Sequence, residues 1–323
     1  MKIEKFLWLL AILLIFSLSS SQAAEDYHFP PERVEKSDRI LLIDATGEEI
    51  SLSAYPKRII SLAPSITECL FSLNLDEEIV GVTIYCDYPQ PAKGKERVGS
   101  LLTFDVERIF SLKPDLILAT KEGNQEREIL RLRKLGLKIF VLDLVERIDH
   151  IYRDLYILGR LTNRGEEAAE VVRKMQLLVQ EIEDKAGQAR ERPLCFWQLG
   201  VNPLITVGQA TLADHLLGLA GGENLAASER GYIPYNLEEV IARSPEVILM
   251  IGMGETLDSY RALWSKFPQL KAQKSGRIYS LNPDLVNRYS PRIVQGLREL
   301  AEALHPGALG RSGAGDREKA GAR

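Results

Sequence analysis

The stretch from Asp105 to Ala119, DVERIFSLKPDLILA, returns 131 positions later as NLEEVIARSPEVILM, Asn236 to Met250. Each copy closes on Pro, then an acid, then four apolar residues. Proline ends a short helix, and the apolar run that follows reads as a buried strand. A chain that writes one helix–turn–strand unit twice, so far apart, is expected to build two α/β lobes of similar plan. Any helix–turn–strand unit shares this outline. A glutamate third in line in both copies, Glu107 and Glu238, is not required by it.

The surrounding order extends the pattern. RILLIDATGEEISLS reads as a hairpin turning near Thr46-Gly47. RIISLAP is a buried strand feeding a helix over Ser65–Leu73, and EIVGVT is a second strand before the loop YCDYPQPAKGKERVGS. NQEREILRLRKLG is a helix stopped at Gly136, and KIFVLD another strand. Apolar strands separated by helices predict parallel pairing, because such strands are buried on both faces and need crossovers. Past Asp149 helix follows helix, Ile148–Leu161 and then Arg164–Ala186, with Asn163 and Glu166 as a capping pair. Ala168, Val171, Val172, Met175, Val179, Ile182 and Ala186 keep one apolar stripe on the second of these. Some 23 residues make a rod of roughly 35 Å, long enough to cross a domain. Alternation then resumes with LCFWQLG as a strand whose Trp197 reads as core. TLADHLLGLAGG is a glycine-terminated helix, and after the second copy come a helix near Leu257–Lys266, RIYSL as a strand and a helix over Pro291–Leu304.

At 323 residues the chain fits two domains, and a net charge of −4 gives no reason to expect nucleic-acid binding. Lys2 and Lys5, an apolar run from Phe6 to Phe16 and then SLSSSQAA have the form of a cleavable secretory signal. The run is short for a membrane span, and no cysteine for a lipid anchor sits beside the cleavage site. The expected layout is a signal peptide over 1–23, a polar leader over 24–37, an α/β lobe over 38–162, an interlobe helix over 163–188, a second α/β lobe over 189–306 and a disordered tail over 307–323. The expected compartment is a bacterial periplasm. Cys69, Cys86 and Cys195 form no disulfide framework by spacing.

Catalytic signatures are missing. The four histidines, His28, His150, His215 and His305, have no metal-ligand spacing, so no resident metal or cofactor is expected. There is no G-x-S-x-G, H-E-x-x-H or phosphate-binding loop, and GMGETL has Leu257 where a dinucleotide fingerprint needs glycine. Two lobes, export and no catalytic set point to a binding protein. An enzyme or redox protein on the same two-lobe plan is the alternative class.

RIISLAPSITE, VGVTIYCDYP, VERIFSLKPDLILA, QLGVNPLITVG, AGGEN and RYSPRI together resemble, in order, the periplasmic binding proteins of bacterial cobalamin ABC importers. The resemblance runs from Lys57 to Leu304. These belong to the helical-backbone class (class III), which also includes receptors for ferric siderophores and haem. The resemblance implies an α/β fold of two Rossmann-like lobes joined by one long rigid helix, with ligand held between them and little hinge opening. It implies a monomer that delivers a cobalt corrinoid, or another large metal chelate, to a two-fold inner-membrane permease with its ATPase subunits. Carried over residue by residue, Tyr85 matches a cleft tyrosine, Tyr232 falls on a cleft aromatic, and Asp284 and Arg288 match a polar pair facing the corrin amides. Leu101, Thr120 and Leu199 stand where that family tends to place aromatics. Leu101 and Leu199 would keep an apolar surface there without flat stacking. Glu107 and Glu238 match the surface glutamates that meet permease arginines, one from each lobe.

Overall fold

The computed structural model describes residues 40–189, 191–252 and 257–308. The expected signal, leader and tail beyond 308 lie outside these residues. Strands β1 (Ile40–Ile43) and β2 (Glu49–Leu52) form the antiparallel hairpin. Its turn rests on Asp44, whose Oδ1 accepts from the Thr46 and Glu48 amides at 2.8 and 3.1 Å, and on Gly47 at φ +83°.

The first α/β sequence runs β3 (Ile59–Ser61), α1 (Pro64–Ser72), β4 (Ile79–Val82), β5 (Glu96–Arg97), α2 (Val106–Ser111), β6 (Leu116–Thr120), α3 (Glu126–Lys134) and β7 (Ile139–Leu142). Its five strands pair in parallel in the order β5-β4-β3-β6-β7. Helices α4 (Ile148–Thr162) and α5 (Gly165–Gly187) follow.

The second sequence runs β8 (Leu194–Gln198), β9 (Gly200–Val201), β10 (Leu204–Val207), α6 (Leu212–Leu219), β11 (Glu223–Asn224), β12 (Tyr232–Pro234), α7 (Leu237–Arg243) and β13 (Val247–Met250). It ends with α8 (Leu257–Trp264), α9 (Lys271–Ser275), β14 (Ile278–Ser280), α10 (Pro283–Val286) and α11 (Ile293–Leu304). Its main sheet is parallel in the order β11-β8-β13-β14. That order repeats β4-β3-β6-β7 strand for strand, so the two sheets share one plan. The small antiparallel sheet β12-β10-β9 was not foreseen from sequence.

The repeated stretch is the same object in both sheets. Asp105 caps α2 by accepting from the Arg108 amide at 2.9 Å, and Asn236 caps α7 by accepting from the Glu238 amide at 2.7 Å. Ile109 and Val240 are both fully buried. Each helix is left through a non-glycine residue in the left-handed region, Lys113 at φ +47° and Ser244 at φ +46°. The proline follows, and the strand takes an interior place, β6 between β3 and β7 and β13 between β8 and β14.

Helix α5 is the expected rod; of its stripe Ala168, Val172, Met175, Val179, Ile182 and Ala186 are buried, and Val171 is partly buried at the edge of the same core. It packs on α4 from one side of the chain and on α6 and α11 from the other. The largest core is therefore continuous through the rod, joining Ile66, Val172 and Leu297. A separate outer core lies behind each sheet. In the second, Trp264 meets Phe196 edge-on at 5.8 Å and donates to Gln198 Oε1 at 2.7 Å. Trp197 is fully buried, as its place in the strand implied. One capping expectation fails. Asn163 sits at φ +58° and closes α4, while the start of α5 at Arg164 has no side-chain cap. An asparagine between two helices serves whichever end needs a left-handed residue.

Candidate functional site

Parallel α/β sheets present their loops at the carboxyl ends of the strands, where ligands collect. The residues just beyond β4 show how the chain builds such a rim. Cys86 is fully buried and meets Thr83 Oγ1 through its thiol at 3.1 Å. Arg97 reaches under the loop, donating from Nη1 to the carbonyls of Thr83 and Cys86 at 2.8 and 2.9 Å. With that anchor inward, Ile84 and Tyr85 are turned out and remain 54% and 50% exposed. Tyr85 is thus a rim residue and does not pack beneath its own loop.

Leu101 is half-buried and Leu102 exposed on the next turn. Asn124 holds that turn, donating to the carbonyls of Leu62 and Leu101 at 3.0 and 3.1 Å. From the other sheet, Tyr232 opens β12 and keeps 58% of its surface accessible. Its hydroxyl pKa is nonetheless raised by desolvation, and the Tyr289 hydroxyl interacts with it. The side chain is therefore open to solvent yet set against Tyr289. Leu199 does not share this setting. It is 8% exposed within the main core, its carbonyl accepting from the Tyr260 hydroxyl at 2.8 Å, so the expectation of a ligand-facing leucine there is corrected to a core role.

Asp284 and Arg288 do pair, at 2.9 Å, but the guanidinium is shared further. Arg288 Nη1 donates to Asp87 at 2.6 Å and to Glu68 at 3.1 Å. Glu68, on α1, is 4% exposed and also accepts from Arg292 at 3.0 Å and from Ser290 Oγ at 2.5 Å. Arg292 lies over the Tyr88 ring with its guanidinium carbon 3.8 Å from the centroid. The segment Arg288–Arg292 is thereby tied to the α1 helix and the Cys86–Pro89 loop. The pair expected to face ligand amides is thus part of a junction between the two α/β parts. Sequence reading missed Glu68, Asp87, Tyr88, Ser290 and Arg292. A glutamate inside the apolar run ITECLF was the available signal, since a carboxylate on a buried helix face must have partners.

Beside this junction a small pocket opens between Ser65, Thr120, Glu122, Asp143, Asp154 and Tyr289. Burial pushes the carboxyls of Glu122 and Asp154 up to about 7 each, more securely for Asp154, which is buried as a whole, than for Glu122, whose side chain is otherwise exposed. Asp154 accepts from Arg153 Nε at 2.9 Å, and Glu122 Oε1 accepts from the Val145 amide at 2.8 Å. Thr120 ends β6 and accepts from the Gly123 amide at 3.1 Å, which folds the Glu122 turn back on the strand. The pocket lining offers the Tyr289 ring, the apolar edges of Ile66, Leu142 and Val145, and the carboxylates of Glu122, Asp143 and Asp154. Among the described residues no group of three or more His, Cys, Asp or Glu could hold a metal ion, and the three cysteines are buried and free. Glu107 and Glu238 lie apart from the pocket, exposed in the first turns of α2 and α7.

Residues 59–285 match the family model described as periplasmic binding protein. The chain is 37% identical over 260 residues to the vitamin B12-binding protein of Yersinia pestis (strain Pestoides F), covering 79% of this chain and 90% of that one. Among solved structures, the periplasmic vitamin B12 binding protein of Vibrio cholerae superposes with a TM-score of 0.69 at 29% identity, over 80% of this chain and 99% of that one. A possible iron-binding (periplasmic solute-binding) protein of Staphylococcus epidermidis superposes with a TM-score of 0.72 at 29% identity, over 78% and 99%. The duplicated parallel sheets, the joining rod and these matches agree: the chain belongs to the periplasmic binding protein family.

Proposed function

We propose that this protein captures cobalamin or a related corrinoid between its two α/β parts and delivers it to a two-fold inner-membrane ABC permease. The observation that carries this reading is the 37% identity to a vitamin B12-binding protein across 90% of that protein's length. The wall supports it in chemical terms. A corrinoid is a broad macrocycle with an apolar face and a rim of amides, which suits Tyr85, Tyr232 and Leu101 for area and Asp284 for hydrogen bonds. The role is binding and transfer rather than catalysis, with the corrinoid's cobalt as cargo. Residues 1–23 act as the export signal in this reading, and the mature protein works as a monomer. Glu107 and Glu238 present one carboxylate from each copy of the repeat to the permease.

The test is retention of colour. The purified protein is incubated with cyanocobalamin or with haemin and dialysed, and its visible spectrum is recorded. A pink protein with a stoichiometric corrinoid band is the expected result. Retention of haem with no corrinoid would move the chain to the haem and ferric-chelate branch of the family.

A further inference from the structure

The cations around the pocket already have carboxylates. Arg288 is shared among Glu68, Asp87 and Asp284, Arg153 contacts Asp154 at 2.9 Å, and Lys121 contacts Asp143 at 3.0 Å. A guanidinium so enclosed has little left to offer an anionic ligand.

Glu122 is arranged differently. Among the described residues its one hydrogen bond is the Val145 amide on Oε1, and it has no ion pair. It stands at the carboxyl end of β6 and lines the pocket with Thr120 and Tyr289. Tyr289 and Tyr232, from the opposite side, both feel its charge. Its other oxygen is therefore an acceptor on the wall where a bound macrocycle would lie.

We propose that Glu122 is a specificity-determining residue that filters macrocyclic cargo by charge, accepting hydrogen bonds from rim amides and repelling rim carboxylates. The proposal rests on the corrinoid reading above. Amide and carboxylate are nearly isosteric, so shape cannot separate them in this pocket and charge can. One carboxylate brought against another across a few ångströms of partly desolvated space costs about tenfold in affinity or more. The filter also has a pH dependence. Burial, Asp154 and Asp143 raise the Glu122 carboxyl to about 7 against the lowering pull of the Val145 amide and Arg153. Tyr232 and Tyr289 facing it have raised pKa values and remain neutral. Below that point Glu122 carries a proton it can donate to a carboxylate, and above it the repulsion is complete.

The experiment is titration calorimetry of the full-length protein with two dicyano-corrins of one skeleton, the amide-rimmed form and its hydrolysed carboxylate form. At pH 8 the amide form is expected to bind about tenfold tighter or better, with a smaller ratio at pH 6. Glu122→Gln is expected to reduce the pH 8 ratio about threefold or more. Equal affinities for the two corrins, or a ratio that Glu122→Gln leaves unchanged, would overturn the filter while the corrinoid function stands. If neither corrin binds, the corrinoid reading itself has failed, and haemin against its dimethyl ester carries the charge test. Preference for the ester, removed by Glu122→Gln, then supports the filter, and preference for the free acid refutes it.

Discussion

Ser290 Oγ donates to Glu68 Oε2 at 2.5 Å across 222 residues of sequence. The acceptor is on the first helix of one α/β part and the donor is on the segment entering the last helix of the other. Removing one member of a buried ionic cluster leaves its partners unsatisfied. Glu68→Ala is expected to lower the unfolding free energy by about 3 kcal/mol, with Glu68→Gln costing less. Urea denaturation measures both. A loss below about 1 kcal/mol for the alanine variant would show the junction to be incidental.

Tyr85 and Tyr232 are half exposed or more, so their rings add little to the folded state alone. Tyr85→Ala and Tyr232→Ala are each expected to weaken cyanocobalamin binding by about 1–3 kcal/mol with little change in melting temperature. Calorimetry beside a thermal melt tests this. Unchanged affinity would remove that tyrosine from the site.

Glu107 and Glu238 cap nothing, since Asp105 and Asn236 already do so. Their acidic side chains still favour the helix starts by a few tenths of a kcal/mol. The double variant Glu107→Ala, Glu238→Ala is expected to cripple uptake in vesicles carrying the cognate permease while soluble affinity is retained. Exposed ion pairs are individually weak, but a matched pair of anchors sets encounter and orientation. Normal uptake by the double variant refutes the docking role.

Asp154 supplies a pH test. Its folded carboxyl is raised from 3.8 to about 7 by burial. A raised carboxyl contributes stability that is fully present below the unfolded value and is lost as pH rises through the folded value. The window is therefore about pH 4 to 7. Asp154→Asn cannot ionise, so its melting temperature relative to the native chain is expected to rise between pH 5 and pH 8. A constant difference across that range would contradict the assignment.

Lys113 leaves α2 at φ +47°, where a side chain crowds its own carbonyl. Lys113→Gly is expected to stabilise the protein by about 0.5–1 kcal/mol, as glycine meets no such crowding. Loss of stability would mean that the lysine side chain contributes more than the strain it imposes.

Most elements of the two sheets were legible because apolar strands and proline-ended helices are local features, but the two-residue polar strands β5 and β11 carry no such pattern and were not. The repeat predicted a shared plan and parallel pairing but no strand order, and the interior places of β6 and β13 come from the pairing itself. The sheet β12-β10-β9 was not legible. Its strands are short and split by Pro203 and a loop, and what makes them a sheet is pairing between Val207 and Tyr232. Tyr85 and Tyr232 were singled out through the family resemblance, and the structure leaves both exposed. The burial of Leu199 did not, because a leucine beside a strand end reads the same in a cleft and in a core. Arg288 was read with Asp284 because the family resemblance carries them over as a polar pair. Its partners Glu68 and Asp87 lie 220 and 201 residues away, where no local pattern points.

The three groups that satisfy Glu68 lie 220, 222 and 224 residues downstream of it. Chains are made from the amino terminus, so α1 exists long before Arg288, Ser290 and Arg292. Until they arrive, Glu68 has none of the side chains that satisfy it in the complete protein, and water must take their place. A chain that stops before Arg288 acquires none of the three. The junction is therefore among the last long-range contacts the first part can make, and it becomes complete only once Arg292 has been added.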